Sequence, residues 1–214
     1  MTWVKICGIT NIEDAEAAVE AGADAIGFVF YEKSPRNIGL SSARQIVAQV
    51  PARTERVGVF VSERPERVRT ITRDVSLTAA QLYNCEASEN ALQTDEDYKM
   101  IPCFRASELS VAPSNSPWRG AYAVLIDSGT PSLPGGTGLP FNWRECQNVI
   151  KSISRFRPVI VAGGLTPENV GDAIHVLKPW GVDVSSGVES ALGKKDEKKM
   201  QAFVRAVRQA DRTA

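Results

Sequence analysis

A cysteine ends a short apolar run near the start of the chain, in residues 4–10 (VKICGIT). Cys7 is either a small core side chain or a catalytic base at the end of a strand, and in the second case its thiolate is the active form. An ordinary thiol has a pKa of about 8.5, so it needs a neighbouring cation or helix N-terminus to ionise. Lys5, on the same side of a strand, is either that cation or a solvated lysine.

A second candidate for proton transfer is Asp127, which follows the apolar residues 123–126. An aspartate before Ser-Gly-Thr is also good turn chemistry, so a turn cap is the alternative. If Cys7 and Asp127 lie at the carboxyl ends of strands in one parallel sheet, they share an edge. One of them could then take a proton while the other gives one.

Two segments rich in glycine and serine follow the last two predicted strands. They are 161–169 (VAGGLTPEN), with Gly163 and Gly164, and 184–189 (VSSGVE), with Ser185 and Ser186. Exposed backbone N–H groups after consecutive strands are typical of phosphate sites in barrel proteins. Tight-turn glycines alone are the alternative, but two such loops in succession favour a phosphate site.

Three further features have weaker chemical signals. Arg36 lies in a long loop, and its planar guanidinium suits a carboxylate, although a lone loop arginine is usually solvated. Residues 135–138 (GGTG) resemble a mobile lid more than a phosphate cradle, because no Gly-Lys-Ser/Thr follows. His175 falls inside a predicted helix, so we expect a structural role far from the site.

Short apolar segments alternate along the chain with longer, charged segments of helical period. Several of the short segments are continuously apolar, which is typical of strands covered on both faces in a parallel sheet. The predicted strands are 3–9, 25–31, 56–61, 78–84, 100–106, 121–127, 158–164 and 181–187. The predicted helices are 11–21, 41–50, 65–75, 167–177 and 196–209, with weakly encoded helices near 88–96 and 107–112.

The helix ends carry recognisable signals. Thr10 or Asn11 can cap the first helix, and Thr166 before Pro167 can cap the helix predicted at 167–177. Repeated strand–helix units predict an α/β fold, a single (β/α)8 TIM barrel that spans 1–214 as one domain, with an open doubly wound sheet as the alternative. The longest intervals between strand starts run from 25 to 56 and from 121 to 158, where catalytic loops would lie.

Composition excludes several classes of protein. The 214 residues contain 25 Lys plus Arg and 25 Asp plus Glu, and this zero net charge argues against a nucleic-acid partner bound by bulk charge. The four cysteines form no C-x-x-C pair and there is one histidine, which argues against a metal site or a disulfide framework. We see no signal peptide and no apolar run of membrane-spanning length, so we expect a cytoplasmic protein without a membrane partner.

Seven segments, spread over nearly the whole chain, together resemble the phosphoribosylanthranilate isomerase family of tryptophan biosynthesis. Any one of them alone would be unspecific, but the set and its order are highly specific. They are VKICGIT (4–10), AGADAIGFVFYEKSPRNI (21–38), VGVFV (57–61), LIDS (125–128), GGTG with F-x-W (135–143), VIVAGGLTPENV (159–170) and GVDVSSGVES (181–190).

The resemblance implies a (β/α)8 barrel that catalyses an Amadori rearrangement with no cofactor and no metal. Its substrate is the small molecule N-(5-phosphoribosyl)anthranilate, and its product is 1-(2-carboxyphenylamino)-1-deoxyribulose 5-phosphate. Asp127 is implied to be the general acid at the ribose ring oxygen, Cys7 the general base at C2, and Arg36 the residue that holds the anthranilate carboxylate. The implied phosphate-binding residues are Gly163, Gly164, Ser185 and Ser186, Asp183 is implied near a sugar hydroxyl, and Lys5, Gln81 and Tyr83 support the catalytic residues.

The chain departs from the family pattern at the end of strand four. The family usually has Gln-Leu-His-Gly, whereas this chain has Gln81-Leu82-Tyr83-Asn84. A tyrosine cannot supply a neutral imidazole near pH 7, so the resemblance does not carry the histidine's part in positioning or tuning over to this chain. At 141–143 asparagine replaces the usual aspartate of F-D-W, and because it is an equally good helix cap we expect little effect.

Two other functions remain as alternatives. The Tyr83 departure leaves open a non-catalytic barrel that binds a phosphorylated metabolite without turnover. The histidine-pathway sugar isomerase does analogous chemistry on a similar barrel, but it resembles this chain less, because it has a carboxylate where this chain has Cys7. A (β/α)8 barrel can be complete as one chain, so the sequence allows either a monomer or a homodimer.

Overall fold

Eight parallel strands form a closed barrel in the computed structural model, which describes residues 1–84, 98–108, 120–128 and 142–213. The strands follow chain order around the barrel, and the first pairs with the last. They are β1 (Trp3–Cys7), β2 (Ala25–Phe30), β3 (Glu55–Val61), β4 (Ala79–Tyr83), β5 (Lys99–Arg105), β6 (Val124–Asp127), β7 (Val159–Val161) and β8 (Gly181–Val184). The predicted (β/α)8 barrel is therefore confirmed, and the open doubly wound sheet is excluded because the sheet closes.

Six helices are described on the outside of this barrel. They are α1 (Ile12–Glu20), α2 (Leu40–Val47), α3 (Pro65–Val75), α4 (Trp143–Ile153), α5 (Val170–Leu177) and α6 (Glu197–Thr213). Between β8 and α6 the chain also forms a two-stranded antiparallel ribbon, β9 (Glu189–Ala191) with β10 (Lys194–Lys195). The sequence patterns did not predict this ribbon.

Several helix ends follow their local signals. The Asn11 side chain accepts a hydrogen bond of 2.8 Å from the Asp14 backbone N–H, which satisfies one of the free donors at the start of α1. α3 begins at Pro65, whose missing N–H costs nothing in the first turn. α6 continues to Thr213, four residues past the predicted end, because buried Ala210 extends its apolar stripe.

The helix predicted at 167–177 starts later than expected. α5 begins at Val170 with Asn169 as the flanking residue, so the expected Thr166 cap was wrong. The Asn169 side chain accepts from the Thr166 N–H and donates to the Gly164 carbonyl, both at 2.8 Å. These bonds hold the preceding residues as a turn, which keeps the loop after β7 in a fixed shape.

Side-chain alternation separates the inside of the barrel from its outer layer. Val4 and Ile6 belong to the larger apolar core, which the helices cover, whereas Cys7 belongs to a second core of side chains from the strands. Lys5, Gln81, Asp127 and Asp183 are buried polar side chains of these same strands. Such polar and charged groups are rarely buried without a partner, so their position points to a site at the carboxyl ends of the strands.

The other end of the barrel is closed by aromatic side chains. The rings of Trp3 and Trp180 stack at 5.2 Å, and Tyr122 meets Trp180 edge-on at 5.9 Å. This end therefore serves packing, and chemistry is left to the opposite end, as in other barrels of this architecture.

Some expectations fall outside the described residues. These are the helix near 88–96, most of the one near 107–112, the GGTG segment at 135–138 and Cys85. Within the described part of the chain, none of the helices has the length and apolar character needed to span a bilayer.

Candidate active site

A cleft of about 260 Å³ opens at the carboxyl ends of the strands. Side chains from β1, β4, β6 and β8 line it together with the loops that follow β2, β7 and β8. Cys7, Asp127 and Arg36 all lie on its wall, so the structure brings the three principal sequence candidates to one place. The alternation of parallel strands explains this, because their last inward-facing residues meet at one rim.

Lys5 is fully buried inside the barrel and is not a solvated end-of-strand lysine. Its Nζ donates to Asp183 Oδ1 at 2.9 Å, because the β1–β8 register places the two residues side by side. Burial alone would lower the pKa of Lys5, but the Asp183 carboxylate and the Cys7 thiol outweigh burial and raise it. Lys5 is therefore a permanent cation beside Cys7.

The Cys7 thiol has the lysine neighbour that the sequence predicted. Burial raises the pKa of Cys7 above its usual value, and Lys5 opposes this shift without cancelling it. Gly27 on β2 leaves the necessary space, since a Cβ there would lie 2.8 Å from Cys7 Sγ and 3.1 Å from Lys5 Nζ. The thiol is thus a buried, weakly acidic group whose ionised form depends on Lys5.

Tyr83 and Asp127 are joined by a hydrogen bond inside the same cleft. The Tyr83 hydroxyl donates to Asp127 Oδ2 at 2.9 Å, and Gln81 Nε2 donates to the Tyr83 oxygen at 3.3 Å. Burial, followed by the Asp127 charge, raises the pKa of Tyr83 well above its usual value, so the phenol stays protonated. The tyrosine that departs from the family pattern is therefore a hydrogen-bond donor to the candidate acid.

The loops after β7 and β8 form the part of the cleft that was predicted to bind phosphate. Gly163 and Gly164 have φ values of +88° and +65°, which few other residues adopt. Gly187 touches the neighbouring loop so closely that a Cβ would lie 1.9 Å from the Leu165 carbonyl oxygen. Ser185 Oγ donates to the Cys7 carbonyl at 3.0 Å, which ties the loop after β8 to β1.

Arg36 reaches the cleft from the long loop after β2. Its Nε and Nη2 donate to Glu189 Oε1 and Oε2 at 2.6 and 2.8 Å. Lys195 Nζ donates to Glu189 Oε1 at 2.9 Å and to the Ser185 carbonyl at 3.2 Å. Burial lowers the pKa of Lys195, and the Glu189 charge opposes that shift.

Glu189 and Lys195 are the residues that sequence reasoning missed. Both lie on the β9–β10 ribbon, and their side chains are 6% and 0% exposed. Glu189 was inside a motif segment already singled out, but a buried glutamate cannot be told from a solvated one by its neighbours in sequence. A short ribbon with two charged pairing positions has no clear periodic signal.

Other candidates lie away from the cleft or form no site. His175 is on α5, where Nε2 is 3.1 Å from Thr213 Oγ1 of α6, in agreement with the structural role expected. Across the described ranges, no cluster of three or more His, Cys, Asp and Glu side chains could hold a metal ion.

The fold and the cleft define a class of protein, the (β/α)8-barrel enzymes with a site at the carboxyl ends of their strands. Acid–base candidates lie at the strand ends, an arginine lines the same cleft, and the loops after β7 and β8 lie where barrels of this class frequently bind phosphate. Comparison with known proteins gives the particular family. The family model "N-(5'phosphoribosyl)anthranilate (PRA) isomerase" matches residues 4–206.

Curated relatives match over the whole chain. The N-(5'-phosphoribosyl)anthranilate isomerase of Trichlorobacter lovleyi is 42% identical over 210 residues, which cover 98% of this chain and 100% of the relative. That of Chlorobaculum tepidum is 42% identical over 216 residues, with 100% and 98% coverage. The crystal structure of phosphoribosyl anthranilate isomerase from Thermotoga maritima has a TM-score of 0.83 at 39% identity, with 98% and 100% coverage.

The chain therefore belongs to the N-(5'-phosphoribosyl)anthranilate isomerase family of tryptophan biosynthesis. A further similar structure is a phosphoribosyl anthranilate isomerase in complex with reduced 1-(o-carboxyphenylamino)-1-deoxyribulose 5-phosphate. It has a TM-score of 0.80 at 38% identity and covers 98% of this chain. The resemblance found in the sequence is confirmed, and it excludes the histidine-pathway alternative.

Proposed function

We propose that this chain converts N-(5'-phosphoribosyl)anthranilate to 1-(2-carboxyphenylamino)-1-deoxyribulose 5-phosphate, as an aldose–ketose isomerase. The observation that carries the proposal is the meeting of Cys7, Asp127 and Arg36 in one cleft beside the loops after β7 and β8. A base, an acid, a carboxylate-binding group and a phosphate site are what this substrate needs. Acid–base catalysis is enough for this rearrangement, because each bond change within the substrate is coupled to a proton transfer, so no cofactor or metal is required.

Ring opening is the first step, with Asp127 as the general acid. The protonated carboxyl group of Asp127, which Tyr83 orients by donating to Oδ2, supplies the proton. That proton passes to the ribose ring oxygen as the C1–O bond breaks and its electrons move to the oxygen. The lone pair of the anilino nitrogen then forms the C=N bond of an iminium, and Asp127 is left as a carboxylate.

Proton removal at C2 is the second step, with the Cys7 thiolate as the general base. The C–H electrons form a C1=C2 double bond and neutralise the iminium, which gives an enolamine. Loss of the C2 hydroxyl proton and addition of a proton at C1 then give the ketone. Lys5 supports this step, because a buried cation beside the sulfur favours its ionised form.

Binding groups surround these two residues. Arg36 holds the anthranilate carboxylate, and Asp183 lies on the cleft wall where a sugar hydroxyl could reach it. Tyr83 holds the acid through its hydrogen bond to Asp127, and Gln81 in turn donates to Tyr83. The proposed phosphate-binding residues are Gly163, Gly164, Ser185 and Ser186, whose loops offer backbone N–H groups.

The proposal extends to the setting of the enzyme. One catalytic domain acts in the cytoplasm on a small molecule, as a monomer or a homodimer, with no nucleic-acid or membrane partner. The balanced charge of the sequence supports the lack of a nucleic-acid partner. A similar structure, from Thermotoga maritima, is described as monomers of a dimeric enzyme, which makes the homodimer worth testing first by light scattering.

The test is the decay of anthranilate fluorescence after the purified protein is added to freshly generated N-(5'-phosphoribosyl)anthranilate. Rapid decay is expected for the wild type. Asp127→Asn and Cys7→Ser should each lower kcat by about 10²–10⁴-fold, the usual worth of a general acid or base. Cys7→Ser should change KM far less than kcat, and turnover within a few-fold of the wild type would make Cys7 a packing residue.

A non-catalytic binding protein is the second candidate, because Tyr83 replaces the histidine of the family pattern. It predicts no fluorescence decay in a folded wild type that still binds the reduced product analogue. Tyr83→His would then be the variant to examine for restored turnover. Decay with the wild type but not with Asp127→Asn would exclude this candidate and show that Tyr83 is tolerated.

A further inference from the structure

The β9–β10 ribbon places two opposite charges face to face beside the cleft. Glu189 and Lys195 are paired across the ribbon, and Lys195 Nζ donates to Glu189 Oε1 at 2.9 Å. Both side chains are buried, with 6% and 0% exposure. A carboxylate in such a position costs free energy to bury unless its partners are well placed, so the pair requires an explanation.

The Glu189 carboxylate also binds one edge of the Arg36 guanidinium. Nε and Nη2 donate to its two oxygens at 2.6 and 2.8 Å, a bidentate pair of fixed geometry. These two bonds use two of the five N–H groups of an arginine. The remaining N–H groups, on Nη1 and Nη2, form the other edge, which is free of Glu189 and can bind a second carboxylate end-on.

The aliphatic part of the Arg36 side chain is packed as closely as its guanidinium group. Gly8 follows Cys7 with a φ of +80°, and a Cβ at Gly8 would lie 2.6 Å from Arg36 Cδ. The arginine therefore lies against bare backbone beside the candidate base. Gly8, in segment 4–10, thus leaves the space that Arg36, in segment 21–38, occupies.

The ribbon itself is fixed from two sides. The Lys195 backbone N–H donates to Asp14 Oδ2 on α1 at 3.0 Å. Lys199 Nζ on α6 donates to the Glu189 carbonyl at 2.7 Å. Glu189 is thus a rigid anchor, and a guanidinium held by it loses less conformational entropy when it binds a ligand.

The charges of the group match a singly charged ligand. Burial alone would raise the pKa of Glu189, but the hydrogen bond from Arg36 and the charge of Lys195 lower it, so the carboxylate stays ionised at neutral pH. One carboxylate between two cations leaves one positive charge in excess. A single carboxylate from the substrate would neutralise it.

We propose that Glu189, held by Lys195, is a positioning residue that orients Arg36 toward the carboxylate on the aromatic ring of the substrate. The inference rests on the proposed function, since it concerns the same substrate. It assigns specificity for the carboxylate to a buried group of three residues and not to Arg36 alone. Without Glu189, the Arg36 guanidinium would keep its charge but would no longer be held in the orientation that binds the substrate carboxylate.

The experiment measures carboxylate selectivity by calorimetry with two probes. One is the reduced product analogue that carries the carboxylate, and the other is the same molecule without it. The ratio is the dissociation constant of the probe without the carboxylate divided by that of the probe with it. This ratio is compared for the wild type, Glu189→Gln and Arg36→Met. Glu189→Gln should lower the ratio by about tenfold, the usual worth of a charge-assisted hydrogen bond, with little change for the probe that lacks the carboxylate.

A matched control is Glu55→Gln, which removes a carboxylate paired with Lys99 at the opposite end of the barrel. Its selectivity should equal that of the wild type. In the Arg36→Met background, Glu189→Gln should cause no further loss, because it acts only through the arginine. If single variants fold poorly because one buried charge is left alone, Glu189→Gln/Lys195→Met removes both charges and should show the same loss.

Two results would overturn the inference. Tighter binding of the carboxylated probe by Glu189→Gln would mean that Glu189 competes with the ligand for Arg36. Unchanged selectivity in a variant that folds would mean that Arg36 needs no support. Failure of the proposed function is a separate result, because then the wild type itself neither turns over the substrate nor prefers the carboxylated probe.

Discussion

At the scale of single residues, Tyr83 stands where the family pattern has a histidine, and its hydroxyl contacts the proposed acid. It donates to Asp127 Oδ2 and is itself supported by Gln81 Nε2. Because its pKa is raised, the phenol stays protonated and donates its hydrogen to the carboxyl group of the proposed acid. The departure from the family pattern thus places a protonated hydroxyl, and not an imidazole ring, beside Asp127.

Tyr83→Phe tests this role. Loss of the hydroxyl leaves the Asp127 carboxyl without this hydrogen bond, so we expect kcat to fall by about tenfold with a smaller change in KM. Steady-state kinetics on the fluorescent substrate give both constants. Tyr122→Phe, at the aromatic end of the barrel, is the control and should leave both unchanged; equal kcat values for Tyr83→Phe and the wild type would contradict the role.

At the scale of elements, the loops after β7 and β8 act as one unit. Gly187 lies against the Leu165 carbonyl so closely that a methyl group would sit 1.9 Å from that oxygen. The methyl group would be attached to the Gly187 backbone and the oxygen belongs to the Leu165 backbone, so neither can move as a flexible side chain would. The added methyl can therefore be accommodated only if the loops separate. Separation would turn the backbone N–H groups of the two loops away from the phosphate that we propose they share.

Gly187→Ala should therefore raise KM, and the inhibition constant of inorganic phosphate, by about tenfold or more, since several hydrogen bonds to an anion are lost together. Inhibition kinetics with phosphate measure this without involving the aromatic half of the substrate. Gly171→Ala is the matched control, because a Cβ there meets nothing within 4 Å. Similar phosphate inhibition in both variants would show that the two loops bind no common anion.

Most elements could be predicted from the sequence because each has a local signal. Apolar runs marked the eight strands, and Asn11 and Pro65 marked two helix starts. The predicted end of the seventh strand was too late, since Gly163 and Gly164 leave the extended conformation that the apolar run suggested. A run of hydrophobic residues does not show where its backbone turns.

The part of the site that could not be predicted depends on contacts between distant elements. Arg36 and Glu189 meet across 153 positions, and the motif around each gives no sign of the other. The sequence leaves open whether Lys5 is buried or solvated. Its burial depends on Asp183, which lies beside it only because β8 pairs with β1 when the barrel closes. Sequence patterns locate the strand ends, whereas charge pairing across the rim requires the closed barrel.

At the scale of the whole molecule, the two ends of the chain are joined where the barrel closes. The Thr2 backbone N–H donates to both oxygens of Asp211 on α6 at 3.1 and 3.0 Å, and the Thr2 hydroxyl donates to Oδ1 at 2.6 Å. Arg208 on the same helix pairs with Asp24 at 3.2 Å. Because β1 carries Lys5 and Cys7, this junction fixes the strand on which the proposed base lies.

The Asp211 junction should make stability depend on acid. Burial acts to raise the pKa of Asp211, but the hydrogen bonds from Thr2 outweigh it and lower the pKa in the folded protein. A carboxyl group with a lowered folded pKa stabilises the protein above its unfolded pKa of about 3.9, and this contribution is lost as the pH falls through the folded value. The stabilisation comes from the ionised carboxylate of Asp211. A substitution that removes its charge should therefore destabilise the protein as a low pH does.

Asp211→Asn should therefore lower the free energy of unfolding at neutral pH by about 1 kcal/mol, the usual worth of such hydrogen bonds. Urea unfolding of the variant and the wild type at neutral pH, and again below the unfolded pKa, measures the difference at each pH. Glu16→Gln, an exposed position on α1, is the control and should leave stability unchanged. The difference between Asp211→Asn and the wild type should shrink in acid, since the wild-type carboxylate is then protonated as well; a difference that stays constant with pH would show that the shape of the side chain, not its charge, holds the two ends of the chain together.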